Sequence, residues 1–321
     1  MKWSLIDLRE ISMRWLDKPY YTLHAKLSED FGEKVYKVAL NGGMTCPNRD
    51  GTLDNRGCIF CSTGGSGDFA ANSTFSITEQ INQQKDIIQA KRPVRKFIAY
   101  FQAYTNTYSN ITHLRTIFTE AITHSDVLIL SIGTRPDCLS EEIISLLSEL
   151  NQQKPIWVEL GLQTIHPKTA TYIRRGYDLE CFEKAVMSLH HEGIEVITHI
   201  ILGLPNETTK DVLATISYLN KLPIQGIKLQ LLHVLTDTDL AIDYRNGLFE
   251  VLSQEDYLDL VITALEHLSP QIVLHRVTGD GPKDLLLAPT WSSAKRTVLN
   301  ELHRQMRLRN TWQGRLYHEE T

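Results

Sequence analysis

Three of the five cysteines lie close together in the chain and form a possible metal site. Cys46, Cys58 and Cys61 follow the pattern C-x11-C-x2-C, shortly after an apolar segment that ends at Leu40. Three thiolates can bind three irons of a [4Fe–4S] cluster and leave the fourth iron open to another ligand. A structural zinc site needs a fourth protein ligand nearby, but the sequence has no Cys or His between Cys61 and His113. The pattern favours an iron–sulfur site over zinc or over three unrelated core cysteines.

The other two cysteines and the N-terminus indicate a reducing compartment. Cys138 and Cys181 are isolated in the sequence, and we predict each to be a small buried residue. Charged residues stand within the first ten positions, and no segment approaches the roughly 20 apolar residues that cross a bilayer. We therefore predict a cytoplasmic protein with no membrane partner, in which clustered thiols stay reduced.

The charge is unevenly distributed along the chain. The 321 residues carry 33 Lys+Arg against 38 Asp+Glu, a net charge of −5 that argues against a nucleic-acid binder. Residues 291–316, however, hold six basic residues and one glutamate, a net charge of +5. At helical spacing this segment has one apolar stripe and an opposite basic face, which suits RNA phosphates or is a solvated surface. The RNA-binding candidates are Trp291, Arg296, Arg304 and Arg307.

Short apolar segments alternate with amphipathic ones, which is the pattern of an α/β protein. Predicted helices separate predicted strands that begin near Val35, Lys96, Val127, Ile156, Val196, Ile227 and Gln271. Strict alternation predicts a parallel sheet with right-handed crossovers and a site at the carboxyl ends of the strands. Seven units fall one short of a (β/α)8 barrel, and a doubly wound sheet fits the same order. We predict an N-terminal extension over 1–32, a core over 33–280 and a basic C-terminal extension over 281–321.

A longer set of motifs resembles the radical S-adenosylmethionine superfamily. Phe60 stands directly before the last cysteine of the triplet, and the segments NGGMTCPNRDG, SIGTRPDCL, ELGLQT, RRGYD, ILGLP and GDGPKDLLLAPTW follow in order. The long first gap between cysteines resembles the branch typified by the catalytic subunit of Elongator, and within it the YhcC/YtqA group. The resemblance implies a partial (β/α)6-type barrel, a [4Fe–4S] cluster and S-adenosylmethionine as cofactors, and an electron donor such as flavodoxin or ferredoxin.

The resemblance also implies residues that contact the cofactor. Phe60 is expected near the adenine, with the backbone at Gly203 approaching it closely. Gln163 and Arg175 are expected to contact S-adenosylmethionine, the arginine through the carboxylate, for which a bidentate guanidinium is suited. Gln102 ends the second predicted strand, where the family recognises the methionine amino group.

Four positions carry weaker expectations. The resemblance implies an acidic residue that contacts S-adenosylmethionine at the position where this chain has Gly133. Thr134 or Arg135 is a candidate to make that contact instead. His199, His233 and His275 lie in different predicted strands and are candidates for substrate binding or proton transfer, although a packed core histidine is the commoner outcome.

Within this group the chain most resembles an enzyme that acts on the wobble uridine of transfer RNA. The resemblance implies conversion of 5-carboxymethylaminomethyl-(2-thio)uridine to 5-aminomethyl-(2-thio)uridine, started by hydrogen abstraction from the methylene next to nitrogen. The alternatives are the same radical chemistry on a small molecule or protein, or a non-catalytic zinc or RNA-binding module.

Overall fold

The sheet of the protein contains seven parallel strands in chain order. The computed structural model describes residues 15–65, 67, 69–279 and 281–318. The strands are β1 (Val35–Leu40), β2 (Lys96–Phe101), β3 (Val127–Thr134), β4 (Ile156–Gln163), β5 (Glu195–Leu202), β6 (Gly226–Leu231), β7 (Val234–Leu235), β8 (Val273–Arg276) and β9 (Leu286–Ala288). The sheet order is β1-β2-β3-β4-β5-β6-β8, and β7 and β9 form a separate two-stranded antiparallel sheet.

Helices connect these strands, and several begin at side chains that cap free backbone N–H groups. Ser76 and Glu79 form a reciprocal capping box, and the Ser140 hydroxyl accepts a hydrogen bond from the Ile143 N–H. The helices are α1 (Leu23–Phe31), α2 (Ile77–Gln89), α3 (Ile111–Thr123), α4 (Glu141–Asn151), α5 (Pro167–Tyr172), α6 (Leu179–His191), α7 (Thr209–Asn220), α8 (Asp239–Arg245), α9 (Gln254–His267) and α10 (Lys295–Leu308).

The described residues divide into two compact units. The cysteine unit comprises residues 33–162 and 170–198, and the terminal unit comprises 15–32, 163–169 and 199–318. In the cysteine unit, β1, β2, β3 and β4 lie side by side in parallel register. In the terminal unit, β6 pairs in parallel with β8. Each unit thus brings strand ends of the same polarity together.

A buried polar network crosses the strands of the cysteine unit. The Lys37 ammonium on β1 lies 2.6 Å from a Glu159 carboxylate oxygen on β4, and the Ser131 hydroxyl on β3 donates to the same oxygen at 2.8 Å. The Lys37 ammonium also lies 4.5 Å from the centre of the Tyr100 ring on β2. Because the Glu159 side chain is fully buried, these partners hold a charge that water does not reach.

The α/β class, the parallel sheet and all seven predicted strands are confirmed. Sequence periodicity missed α1, the short helices α5 and α8 and the antiparallel pair of β7 and β9, since each is too short to show a clear period. The three-part division at residues 32 and 280 stays a prediction, and residues 1–14 and 319–321 of its extensions lie outside the described residues. Among those that are described, no helix is long and apolar enough to cross a membrane.

Candidate cofactor site

The loop from Cys46 to Cys61 folds back on itself, which brings distant cysteines together. The Cys46 carbonyl accepts a hydrogen bond from the Arg49 N–H at 2.8 Å, so the chain makes a turn immediately after the first cysteine. The Gly57 N–H donates to the Asn48 carbonyl at 2.7 Å, so the loop returns to its starting point just before Cys58. Gly57 has a φ of 77°, a left-handed conformation that glycine adopts without strain.

The three thiols are electrostatically coupled. Cys46, Cys58 and Cys61 are each half-buried. Burial, followed by the neighbouring Cys61 and Cys46, raises the pKa of the Cys58 thiol to about 12, while a hydrogen bond from Asn48 opposes the shift. The mutual effect on the pKa places the three sulfur atoms in one local environment.

Two arginines supply positive charge around these sulfurs. Burial opposes the charge on Arg49, yet Cys61 and Cys46 raise its pKa above the ordinary arginine value. Burial likewise opposes the charge on Arg135, but Asp137 chiefly, and Cys46 more weakly, raise its pKa. Three thiols with two nearby cations fit an anionic cluster bound through three thiolates.

A single metal ion fits this part of the molecule less well. Within the described ranges, no three Cys, His, Asp or Glu side chains are placed to hold one metal ion. A zinc site requires its ligands to converge on a point, whereas the thiolates of a [4Fe–4S] cluster each bind a different iron. The donor arrangement therefore favours the cluster over zinc.

Asn48 joins the cysteine loop to the RRGYD segment. Its amide nitrogen donates to the Cys58 sulfur at 3.4 Å and to the Arg174 carbonyl at 2.8 Å. Gly176, with a φ of 85°, permits this approach, because a Cβ there would lie 2.8 Å from the Asn48 amide oxygen. Neither residue was singled out from the sequence, where an asparagine in a loop is typical of an ordinary turn.

Arg175 is buried beside the end of β4. Its Nη1 donates to the Leu162 carbonyl and its Nε donates to the Tyr177 carbonyl, both at 3.0 Å. The guanidinium carbons of Arg175 and Arg135 lie 4.8 and 4.9 Å from the centre of the Tyr177 ring. Burial lowers the pKa of Arg175, which is only 3% exposed. This arginine is therefore not a solvated helix end, and its contact with S-adenosylmethionine stays a prediction.

The loop after β2 connects the cysteine loop with the end of β3. The Gln102 N–H donates to the Leu40 carbonyl at 3.4 Å, and the Thr105 N–H donates to the Thr45 carbonyl at 3.2 Å. The Asn106 side-chain amide donates at 2.8 Å to the carbonyl of Gly133, the position where relatives carry an acidic residue. An added Cβ at Gly133 would lie 3.2 Å from a backbone carbonyl oxygen, so the strand end is tightly packed.

Three further cofactor candidates stand at strand ends or beside the cysteines. Phe60 is half-buried, and the preceding residue, Ile59, donates its N–H to the Ile173 carbonyl at 3.2 Å. Gln163 ends β4 with a φ of 66°, and Gly203 follows β5 with a φ of 85°. Both turn the chain sharply at the carboxyl end of a strand, where the fold predicts the site. Their contacts with S-adenosylmethionine stay predictions.

The two isolated cysteines are not core residues, which corrects the prediction that they are buried. Cys138 and Cys181 are both half-buried, and Asp137 is the charged neighbour that most raises the pKa of each after burial itself. Cys138 lines an open groove of about 630 Å³ together with Pro47 and Leu53 of the cysteine loop. Because Asp137 and Arg135 form an ion pair at 2.7 Å, both thiols stand beside a charged pair that an apolar core lacks.

The three candidate histidines lie on separate elements of the terminal unit. His199 is on β5, His275 is on β8, and His233 lies between β6 and β7; all three are half-buried. His233 packs against Gly279 and Gly281 of the GDG motif: a Cβ on Gly279 would lie 2.8 Å from its Cε1, and one on Gly281 would lie 3.4 Å from its Nδ1. The glycines of this motif therefore make room for the imidazole ring.

The basic C-terminal helix is partly neutralised by local carboxylates. Arg304 makes two hydrogen bonds to Glu301, at 2.8 and 2.6 Å, whereas Arg296 and Arg307 are exposed. The Trp291 indole donates to the Leu252 carbonyl at 3.1 Å and packs on the Tyr257 ring, so its packing favours a structural role over base stacking.

The sheet and the three-cysteine loop define the class of protein. Residues 55–219 match the family model of the radical SAM superfamily, and residues 224–307 match that of the radical SAM C-terminal domain. The chain belongs to the radical SAM superfamily, whose [4Fe–4S] cluster and S-adenosylmethionine are its cofactors. It is therefore an enzyme, which sets aside the non-catalytic module.

Two relatives place the chain within the YhcC/YtqA group of this superfamily. The chain is 44% identical over 301 residues to the YtqA protein of Bacillus subtilis, covering 94% of each. It is 34% identical over 281 residues to the YhcC protein of Escherichia coli, covering 87% of this chain and 90% of the relative.

More distant similarity extends to proteins of the Elongator type. The structure resembles Methanocaldococcus infernus Elp3 with a TM-score of 0.66 at 18% identity, covering 87% of this chain but only 64% of Elp3, a likeness of fold. A tRNA uridine(34) acetyltransferase of Methanocaldococcus jannaschii is 25% identical over 176 residues, covering 54% of this chain and 31% of the relative.

Proposed function

We propose that this radical SAM enzyme modifies the wobble uridine of transfer RNA. The proposed reaction removes the carboxymethyl group from 5-carboxymethylaminomethyl-(2-thio)uridine and leaves 5-aminomethyl-(2-thio)uridine. The observation that carries the radical chemistry is the folded loop that brings three cysteines together beside Arg49 and Arg135. The relative named for uridine 34 of tRNA supports the substrate class.

In this proposal, different residues of the chain hold the cluster and S-adenosylmethionine. Cys46, Cys58 and Cys61 hold the cluster, which with S-adenosylmethionine supplies one-electron cleavage and radical hydrogen abstraction when bound. Asn48 fixes the loop that carries these ligands. The buried cation of Arg175 is suited to a carboxylate, in keeping with its expected contact with the methionine moiety.

Four further residues are candidates for holding the cofactors. Phe60, Gln102, Gln163 and Gly203 are the other proposed cofactor contacts, since each stands at a strand end or within the cysteine loop. A reduced flavodoxin or ferredoxin is the proposed electron donor. An environment that excludes water protects a reactive radical from side reactions, and the apolar strands around these positions are suited to providing it.

The test is anaerobic turnover followed by nucleoside analysis. The reconstituted enzyme is incubated with S-adenosylmethionine, a reductant and tRNA from a strain lacking the gene, and the nucleosides are measured by mass spectrometry. We expect the carboxymethylaminomethyl form to decrease and the aminomethyl form to increase, with Cys58→Ala as the inactive control. Release of 5′-deoxyadenosine with unchanged tRNA nucleosides would instead favour a small-molecule or protein substrate.

A further inference from the structure

We propose that Lys18, Arg296 and Arg307 form a surface, here called the terminal basic patch, that binds the sugar–phosphate backbone of the tRNA. This inference rests on the proposed function, because it takes tRNA as the substrate. It differs from the expectation based on charge alone, which included Arg304 and did not include any residue from the start of the chain.

Three arginines of the C-terminal segment are excluded because they already have carboxylate partners. Arg304 is held by Glu301, as described above. Arg309 lies 2.5 Å from a carboxylate oxygen of Asp259, and Arg315 lies 2.6 Å from one of Glu266. A phosphate approaching these guanidinium groups also meets a carboxylate, which repels it at short range.

The three residues of the patch have no such partner. Lys18, Arg296 and Arg307 are exposed, and no carboxylate lies within ion-pair distance of any of them among the residues that the structure describes. An exposed cation without a carboxylate partner keeps its full attraction for a phosphate.

Contacts between the two chain ends bring Lys18 to helix α10. The Tyr20 hydroxyl and His303 Nε2 are 2.9 Å apart, and the two ring centres are 5.5 Å apart. The Gln313 N–H donates to the Pro19 carbonyl at 2.9 Å, which holds the same segment from the other side. Lys18 and Arg307 both lower the pKa of His303, as burial does more strongly, so both cations lie near this ring.

Helix geometry aligns the rest of the patch. Arg296, His303 and Arg307 are separated by seven and four residues, which places them within about 20° of one face of α10. Arg296 and Arg307 are therefore about 16 Å apart along the helix axis. Since backbone phosphates in a nucleic-acid strand follow one another every few ångströms, a track of this length spans several of them.

The chemistry of the patch points to the backbone of the nucleic acid and not to its bases. The cations stand in a row on a convex helix and the adjoining segment, and the neighbouring aromatic rings of Tyr20 and His303 already contact each other. Base recognition requires free aromatic faces or a pocket, whereas phosphate contacts need only charge and spacing. The patch thus orients the tRNA, and the recognition of the modified base belongs to the cofactor site.

Two variants with the same change in net charge test the inference. The patch variant is K18Q/R296Q/R307Q, and the matched control is R304Q/R309Q/R315Q. Binding of unmodified tRNA to the reconstituted holoenzyme is measured by fluorescence anisotropy over a range of salt concentrations. Iron content and unfolding temperature verify that both variants are folded.

We expect the patch variant to bind tRNA at least about tenfold more weakly than the wild-type enzyme at 0.1 M salt. The slope of log K against log salt should be shallower by about two. The control should change affinity less than about threefold. Equal affinity of patch variant and wild type, or an equal loss in the control, would overturn the patch while leaving the proposed function intact. Wild-type enzyme that binds anionic vesicles but no tRNA would overturn both.

Discussion

The side-chain amide of Asn48 donates a hydrogen bond to the sulfur of Cys58 over 3.4 Å. The same nitrogen donates to the Arg174 carbonyl at 2.8 Å, so one amide satisfies two acceptors on different segments. A hydrogen bond to a cluster sulfur stabilises the more negative, reduced state and thereby raises the reduction potential. With Cys58 as a proposed cluster ligand, Asn48 would link the folding of the loop with the reduction potential of the cluster.

Replacing Asn48 by alanine should lower the midpoint potential of the cluster. Loss of a hydrogen bond worth about 1 kcal/mol in the reduced state corresponds to about 40 mV for a one-electron couple. Redox titration followed by electron paramagnetic resonance measures the shift. Asn55→Ala is the control, because this residue is an exposed asparagine in the same loop. Equal potentials for Asn48→Ala and wild type would contradict the assignment.

Alanine variants of the five cysteines should separate into two groups. Cys46→Ala, Cys58→Ala and Cys61→Ala should each abolish the broad absorption near roughly 400 nm and most of the bound iron, since each removes one cluster ligand. Cys138→Ala and Cys181→Ala should keep the cluster. Iron and acid-labile sulfide analysis after anaerobic reconstitution measures both, and loss of iron in Cys138→Ala would show a ligand set different from the proposed one.

The buried pair of Lys37 and Glu159 should be strongly coupled to stability. Lys37→Met removes the ammonium that lies 2.6 Å from the fully buried Glu159 carboxylate, and we expect a loss of about 3–5 kcal/mol in the free energy of unfolding. Lys85→Met is the matched control, because its partner Asp126 is 29% exposed and such pairs contribute about 0–1 kcal/mol. Urea denaturation compares the two, and similar losses would mean that Glu159 is stabilised by other groups.

Two glycine variants test whether the position of His233 matters. An added methyl group at Gly279 would lie 2.8 Å from the imidazole and must displace it, whereas one at Gly281 would be in ordinary contact at 3.4 Å. We expect Gly279→Ala to cost about 1–3 kcal/mol and to reduce turnover if the ring contacts substrate. Gly281→Ala should remain near wild type. Thermal unfolding and turnover together distinguish a packing effect from a functional one.

The stability of the terminal unit should depend on His303 at mildly acidic pH. Burial, followed by the charges of Lys18 and Arg307, lowers the pKa of His303 below its usual 6.5, while the facing Tyr20 hydroxyl stays neutral. The unfolded chain therefore binds more protons, and the free energy of unfolding should decrease as the pH falls below about 6.5. His303→Gln should flatten this dependence when denaturant unfolding is compared at pH 7.5 and pH 5.5. An unchanged slope would mean that His303 does not contribute.

The local elements and the candidate cluster ligands were accessible from the sequence, whereas the groups that pack against those candidates were not. Strands such as Val127–Thr134 are continuous apolar runs, and cysteine is recognisable as a thiolate donor wherever it stands. Asn48 carries no comparable signal, because an asparagine near a proline and a glycine is typical of any turn. Its contact with Arg174 spans 126 positions and exists only in the folded chain.

Periodicity, donor type and charge are properties of the local sequence, so the α/β order, the three cysteines and the basic composition of the C-terminal segment can be read without a structure. Which of those charges are available depends on the folded chain. Arg309 and Arg315 meet acidic partners 50 and 49 residues away, while Lys18 comes from the opposite end of the chain. Electrostatic attraction depends on distance in space, and salt screens it over about 8–10 Å. Net charge along the sequence therefore does not predict which cations can attract a phosphate.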